Sequence, residues 1–228
     1  MLTPDELAAV RTSLSVAALA LAVGLPLAAA AAWMLARGRF FGKSVVDALV
    51  HLPLVLPPVV VGYLLLLAFG VQGPAGRVLN DLFGARLVFS TAGAALAAGV
   101  MAFPLMVRTL RLAFEAMDPG LDVAARSLGA GPWDRFFSLS LPLATPGLVA
   151  AAIIGFAACL GEFGAVITFA ANVPGQTQTL PLAIYAALQS PGGDATAMKL
   201  AGVSFAIALV ALIASEALTR RAYRMTGR

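Results

Sequence analysis

Thr12-Ser-Leu-Ser-Val-Ala-Ala-Leu-Ala-Leu-Ala-Val-Gly-Leu-Pro-Leu-Ala-Ala-Ala-Ala-Ala-Trp-Met-Leu35 runs without one charged side chain. As an α-helix it is about 36 Å long at 1.5 Å per residue, enough to cross the roughly 30 Å of a bilayer's hydrocarbon. Alanine and leucine dominate it, and no apolar-polar alternation marks a half-buried strand. The stretch predicts a membrane-crossing helix, and it is not alone. Val46 to Val71, Leu87 to Val107, Leu143 to Gly161 and Leu200 to Leu218 are apolar blocks of similar reach. A sixth block, Leu180 to Leu188, is too short to cross and is hemmed by Pro181 and by Pro191-Gly192-Gly193.

The bulk composition agrees. Of 228 residues, 61% are hydrophobic and 11% charged, where a soluble domain has about a quarter charged. Too little charge is present to coat a water-soluble globule. The chain reads as one all-α transmembrane domain, residues 1–228, with about five spanning helices and a short external or re-entrant helix between residues 165 and 198. The net charge of +4 does not point to nucleic acid, because Lys and Arg flank the apolar blocks, where they meet lipid headgroups. Cys159 has no partner for an intrachain disulfide and reads as a small packing residue. No basic, short-h-region leader precedes Thr12, so a cleaved signal peptide is not expected.

Orientation follows from charge. With five crossings, eleven of the fifteen basic residues fall on one side, among them Arg37, Arg39, Lys43, Arg108, Arg111, Arg126, Arg135 and the Arg220-Arg221 tail. Arg11, Arg77, Arg86 and Lys199 fall on the other. The positive-inside rule places the first set in the cytoplasm, the N-terminus outside and the C-terminus inside. Glu216 and Arg220, four residues apart, suit a helical ion pair at the inner headgroups.

Small residues mark where helices approach. Gly147, Ala151, Gly155 and Cys159 recur every four residues in the fourth block, and Ala95 and Gly99 do so in the third. The pattern shows association without saying which helix is the neighbour. Pro53, Pro57 and Pro58 free backbone carbonyls at the start of the second block, which fits either an irregular helix lining a cavity or a simple kink.

The longest polar break is Glu115-Ala-Met-Asp-Pro-Gly-Leu-Asp-Val-Ala-Ala-Arg-Ser-Leu-Gly-Ala-Gly-Pro-Trp-Asp-Arg-Phe-Phe-Ser-Leu-Ser-Leu-Pro142. Leu121 to Leu128 can form two amphipathic turns, stopped by Gly129 to Pro132. On physics alone, this is either an interfacial loop or a helix made to dock in a partner's groove.

The segment resembles the EAA loop of ABC importer permeases: Glu-Ala-Ala, three residues, Gly, nine residues, Ile, one residue, Leu-Pro. Ala124, Ala125, Gly129, Leu141 and Pro142 match in register, and Leu139 stands for Ile. Val123 occupies the Glu position, with Asp122 one residue earlier. His51 to Tyr63, Gly161 to Pro181, Ala183-Ile-Tyr185 and Ser190 to Gly193 are similar to molybdate-type permeases. Sulfate permeases share the Gly-Glu-Phe/Tyr-Gly element but diverge after Asn172.

The resemblance implies a type I importer permease in the cell membrane, working as a homodimer. It further implies two ATP-binding subunits on the cytoplasmic side, an extracytoplasmic oxyanion-binding protein, and no cofactor. On this footing Asp122, Ala124, Ala125, Arg126, Leu128 and Gly129 are the ATPase-coupling candidates. Pro57, Pro58, Glu162, Gly164, Asn172 and Thr177 are the candidates for pathway or gate. Glu162, a carboxylate at the end of an apolar helix, is either an acceptor for N–H groups freed at the Gly161–Gly164 break or a moving part of the gate. The polar run from Asn172 to Thr179 lines an outer vestibule, contacts a delivering protein, or is a solvated loop. Arg77 and Arg86 attract an acidic group or are ordinary loop charges.

Other classes fare worse. The chain has no Gly-x-x-x-x-Gly-Lys-Ser/Thr loop to bind nucleotide, no Gly-x-Ser-x-Gly and no His-Glu-x-x-His. His51 has no second ligand at metal spacing. An intramembrane enzyme therefore lacks machinery, and a stand-alone channel leaves the docking loop without a purpose.

Overall fold

The computed structural model describes residues 2–225, with side chains through Ala214. The side chains of Glu216 and Arg220, and the pair expected of them, lie outside the described residues. Every regular element is helical: α1 (Pro4–Arg37), α2 (Lys43–Val55), α3 (Pro58–Phe69), α4 (Pro74–Phe83), α5 (Thr91–Glu115) and α6 (Pro119–Ser127) come first. A three-residue α7 (Pro132–Asp134), a π-helical segment (Arg135–Ser140) and α8 (Leu141–Leu143) lead into α9 (Thr145–Gly161). Then follow α10 (Gly164–Ala170), α11 (Leu180–Leu188) and α12 (Asp194–Met225).

Among the described residues three helices are long and apolar enough to cross a membrane alone, and bent pairs raise the number to as many as five. The all-helical bundle with about five crossings is therefore found. What differs is the second crossing. Instead of one helix over Val46 to Val71 there are two, α2 and α3, meeting at 116°. The cause is local. Leu56 precedes a proline and is extended (φ −76°, ψ 142°), and Pro57 follows with ψ 136°; neither Pro57 nor Pro58 has an N–H to continue the helical ladder. The fourth crossing bends by 75° between the α7–α8 segment and α9.

The core lies where α1, α5 and α9 pack on one another. Ala17, Ala28, Ala32, Ala94, Ala98 and Ala102 are buried with Met106, Leu110 and Phe114, and alanine on facing surfaces lets backbones come close. The small-residue stripe of α9 meets neighbours in its own chain. A Cβ on Gly155 would stand 2.6 Å from Met106 Sδ and 3.0 Å from Leu21 Cδ2, and one on Gly147 would collide with Ala113. A Cβ on Gly99 would lie 3.5 Å from Ala20 of α1.

Polar contacts sort the bundle into two ends. At one, Lys199 Nζ donates to Glu6 Oε1 at 2.7 Å, Leu180 N to Ser13 Oγ at 2.6 Å, and Thr91 Oγ1 to the Gln176 carbonyl at 2.8 Å. At the other, Arg37 Nη2 donates to the Phe114 carbonyl at 3.1 Å and Arg111 Nη1 to Asp47 Oδ2 at 2.9 Å. The short α10 and α11 belong with the first end. By contrast, α2 buries none of its residues, and Phe205, Val210, Leu212 and Ile213 of α12 are exposed. These are surfaces for lipid or for another chain.

Candidate functional site

The loop 115–142 is a built structure. Asp118 accepts from Gly120 N at 2.8 Å, and Pro119 takes the first helical position of α6, where its missing N–H costs nothing. The end of α6 is set by Gly129, with φ +85°. Gly129 N donates to the Arg126 carbonyl at 2.9 Å and Ala130 N to the Ala125 carbonyl at 3.0 Å. This left-handed closure satisfies the orphan carbonyls and favours glycine. Among the described residues, chain neighbours aside, nothing lies within 4 Å of a Cβ placed on Gly129, so the position is open.

No residue of α6 is buried. Leu128 is 88% exposed, and Leu121, Val123, Trp133 and Phe137 are exposed with it. Ala124 faces outward and Ala125 is half-buried. An apolar rim on a protruding helix is costly in water and suits a groove. The carboxylate sits one residue ahead of the family's Glu position and turns to its own loop. Asp122 Oδ1 is 2.5 Å from Arg135 Nη1, and Asp122 Oδ2 is 2.9 Å from Arg126 Nη2.

Below the loop, Phe136 is buried edge-on to Trp33 (centroids 5.2 Å apart) and tilted against Phe114 (6.4 Å). Trp33 Nε1 donates to Ser140 Oγ at 3.3 Å. The π-helical segment is thereby fixed to the ends of α1 and α5. Beside it, Arg111 bridges Asp47 (2.9 Å) and Glu115 (2.7 Å), and His51 Nδ1 lies 2.9 Å from the Asp47 carbonyl oxygen. Acceptors on both sides hold the Arg111 guanidinium even more firmly charged than usual, the Glu115 hydrogen bond first and then that to Asp47. The i,i+4 spacing of Arg111 and Glu115 was visible in the sequence; the contact with Asp47 needed the fold. No group of three His, Cys, Asp or Glu side chains able to hold a metal occurs among the described residues.

The second region is the break after α9. The helix stops at Gly161, Glu162 is extended (φ −70°, ψ 132°), and α10 restarts at Gly164. Glu162 Oε1 accepts from Ala165 N at 2.8 Å, one of the N–H groups that the restart leaves without a helical acceptor. Here α10 crosses α3 at close range. A Cβ on Gly164 would lie 2.8 Å from Pro58 Cβ, and one on Gly62 would lie 2.7 Å from both the Ala165 carbonyl oxygen and Thr168 Cβ. Pro58 and Gly164 thus meet where the break within the second crossing touches the break that follows the fourth, with Glu162 two residues before Gly164 and Pro57 capping α3 beside them.

Asn172 and Thr177 stand apart from that contact. Thr177 is fully buried; its hydroxyl accepts from Val173 N at 3.0 Å and donates to the Ala171 carbonyl at 3.2 Å. It closes a turn instead of presenting its oxygen to a vestibule. Asn172 keeps a buried Oδ1 without a hydrogen-bond partner, next to Ala171 at φ +61° and ψ −167°. That backbone region is close to glycine-only. Ser13, Glu6 and Lys199, which tie α1 to α11 and α12, carry no sequence signal beyond being polar residues near helix starts.

Residues 24–224 match the family described as binding-protein-dependent transport system inner membrane component. The molybdenum transport system permease protein ModB of Escherichia coli (strain K12) is 50% identical over 228 residues, covering 100% of both chains. A probable sulfate transport system permease protein cysT of Anthoceros angustus is 33% identical over 82% of this chain and 64% of its own. Among solved structures, a bacterial alginate ABC transporter in complex with its alginate-bound periplasmic protein superposes with a TM-score of 0.72. It covers 98% of this chain and 80% of that one, at 19% identity, which speaks for the fold alone.

Proposed function

The chain belongs to the binding-protein-dependent transport system inner membrane component family, and from that premise we propose that it is the permease subunit of an ATP-driven importer of molybdate. The observation that carries the substrate is the end-to-end match to a molybdenum permease at 50% identity, against 33% and partial coverage for a sulfate permease. Tungstate, close to molybdate in size and charge, enters by the same route. Sulfate is the alternative.

In this reading the chain makes and breaks no covalent bond. It pairs with a second copy, the pathway runs between them, and two ATPase subunits bind the exposed rim of α6 from the cytoplasm. The anion arrives from a binding protein on the opposite face. The basic end of the bundle, with Arg37, Arg108 and Arg111, faces the cytoplasm, and the end with Glu6 and Lys199 faces out. The contact between α3 and α10 forms the part of the wall that can move, since each helix starts at a break in the chain and the two are held by close packing. An intramembrane enzyme is disfavoured because the Glu162 carboxylate is engaged by a backbone amide and His51 by a backbone carbonyl.

The test is uptake of labelled molybdate into liposomes carrying the permease, its ATPase and its binding protein. Uptake should need ATP and be outcompeted by tungstate far better than by sulfate. Equal competition by sulfate rejects the assignment of molybdate.

A further inference from the structure

Coupling helix α6 is poorly anchored. It begins at Asp118–Pro119, ends at Gly129, and is followed by Ala130 and Gly131, with open space around Gly129 and Gly131. None of its residues is buried, so hydrophobic packing does not fix its angle to the bundle. A groove that pushes on Leu128 would swing such a helix without moving anything behind it, unless a second attachment exists.

One attachment is shielded from water. Asp122 is 17% exposed and Arg135 11%, and they are in contact across the loop. Arg135 opens the π-helical segment that continues through α8 into α9. Its Nε is buried with no partner, and Asp122 is the sole carboxylate within ion-pair distance of this guanidinium among the described residues. A shielded pair of this kind breaks at high cost when one partner is removed, because the other charge is left buried. The Arg126 contact to the same carboxylate differs, since Arg126 is 60% exposed and exposed pairs contribute little.

We propose that the Asp122–Arg135 pair is the strut that carries movement of α6 into the π-helical segment and α9, making Arg135 a positioning residue for transport. A push on α6 draws Arg135 with it. Phe136, wedged against Trp33 and Phe114, is the fixed point about which the α7–α9 arm turns. That arm ends at the Gly161–Glu162 break, where α10 meets α3. The inference rests on the permease reading above, and it adds which side chains link the docking helix to the moving wall.

Two measurements decide it. The first uses the permease alone in nanodiscs and follows amide hydrogen exchange. Arg135→Gln and Asp122→Asn should each speed exchange over 119–131 by about tenfold or more, with 91–115 unchanged. The second uses the full complex in liposomes. Both variants should still co-purify with the ATPase, while anion moved per ATP falls by about tenfold or more. Arg135→Lys keeps the charge within reach of Asp122 and should recover at least about half of the parental ratio.

Parental stoichiometry in Arg135→Gln, or unaltered exchange over α6, overturns the strut. So does loss of ATPase co-purification in both variants, which would make the pair a docking element, or a Lys variant as impaired as Gln. A parent complex that takes up no molybdate contradicts the permease reading instead, and the exchange arm still judges the strut.

Discussion

Glu162 shows what one side chain can do at membrane depth. Its oxygen accepts from Ala165 N, a job that needs an acceptor and not a charge. Glu162→Gln keeps that acceptor, so the variant should transport at close to the parental rate. Glu162→Ala strands the amide and should cost roughly 1–3 kcal/mol of stability. Uptake and detergent melting on both variants check this; a stable Gln variant that cannot transport would mean that the charge itself gates. Glu6 differs, because its charge matters. The Lys199 ammonium, helped by Thr3 N–H, holds its carboxyl below the usual range. A lowered folded-state value gives stability that is present above the unfolded value and is lost as pH falls through the folded one. The melting temperature should therefore drop between about pH 5 and about pH 3, and Lys199→Met should flatten that limb. An unchanged acid limb in the variant would show that the pair does not contribute. The sequence made Glu162 legible, since a lone acid ending an apolar helix invites a question. It gave no means of pairing Glu6 with a lysine 193 positions away.

At the scale of elements, what could be read depended on whether the signal was local. Asp118-Pro119 and Gly129 are local start and stop signals, and α6 lies between them within two residues of the expected helix. The apolar block at 46–71 carried the cause of its bend in Pro57 and Pro58, yet a sequence that is apolar on both sides of the break conveys neither the angle nor its destination. That destination is Gly62 against Ala165 and Thr168, a contact between segments a hundred residues apart. Likewise the stripe in α9 announced a close neighbour, and only the fold shows Met106, Ala113 and Leu21 filling that place. For α6 itself, Gly129 permits a clean separation of strain from docking. Gly129→Ala meets no other atom among the described residues and should cost about 1 kcal/mol for the left-handed backbone. Gly129→Asp carries similar strain and adds a charge where the proposed ATPase groove would close. We expect both to insert normally, the Ala variant to keep ATPase association and the Asp variant to lose it in co-purification. An Asp variant that assembles and transports like its parent removes the docking role from this segment.

For the whole molecule, the strongest constraint is that its polar contacts segregate. Glu6 with Lys199, Ser13 with Leu180 and Thr91 with Gln176 gather at one end. Arg37 with Phe114, Asp47 with Arg111 and Trp33 with Ser140 gather at the other. An apolar bundle whose polar links occupy its two ends has the form that a bilayer imposes, since a polar group at mid-depth must find a partner or pay for its absence. The geometry leaves the bundle free to face either way, and the proposed orientation rests on the asymmetry of charge. Among the described residues Arg37, Arg39, Lys43, Arg108, Arg111, Arg126 and Arg135 belong to the segments at or beyond the Arg37–Arg111 end, which on the proposed reading the positive-inside rule assigns to the cytoplasm, the side on which the proposed ATPase docks. Single cysteines at Ala130, beyond the end of α6, and at Asn80 in α4 probe the two faces. Cys159 is buried and would be replaced by alanine to clear the background. In sealed right-side-out vesicles holding the permease without its ATPase, an impermeant maleimide should label the Asn80→Cys variant at once. The Ala130→Cys variant should label only after the membrane is opened. Labelling of position 130 from outside would invert the bundle, place α6 beyond the reach of any cytoplasmic ATPase, and take the importer assignment with it.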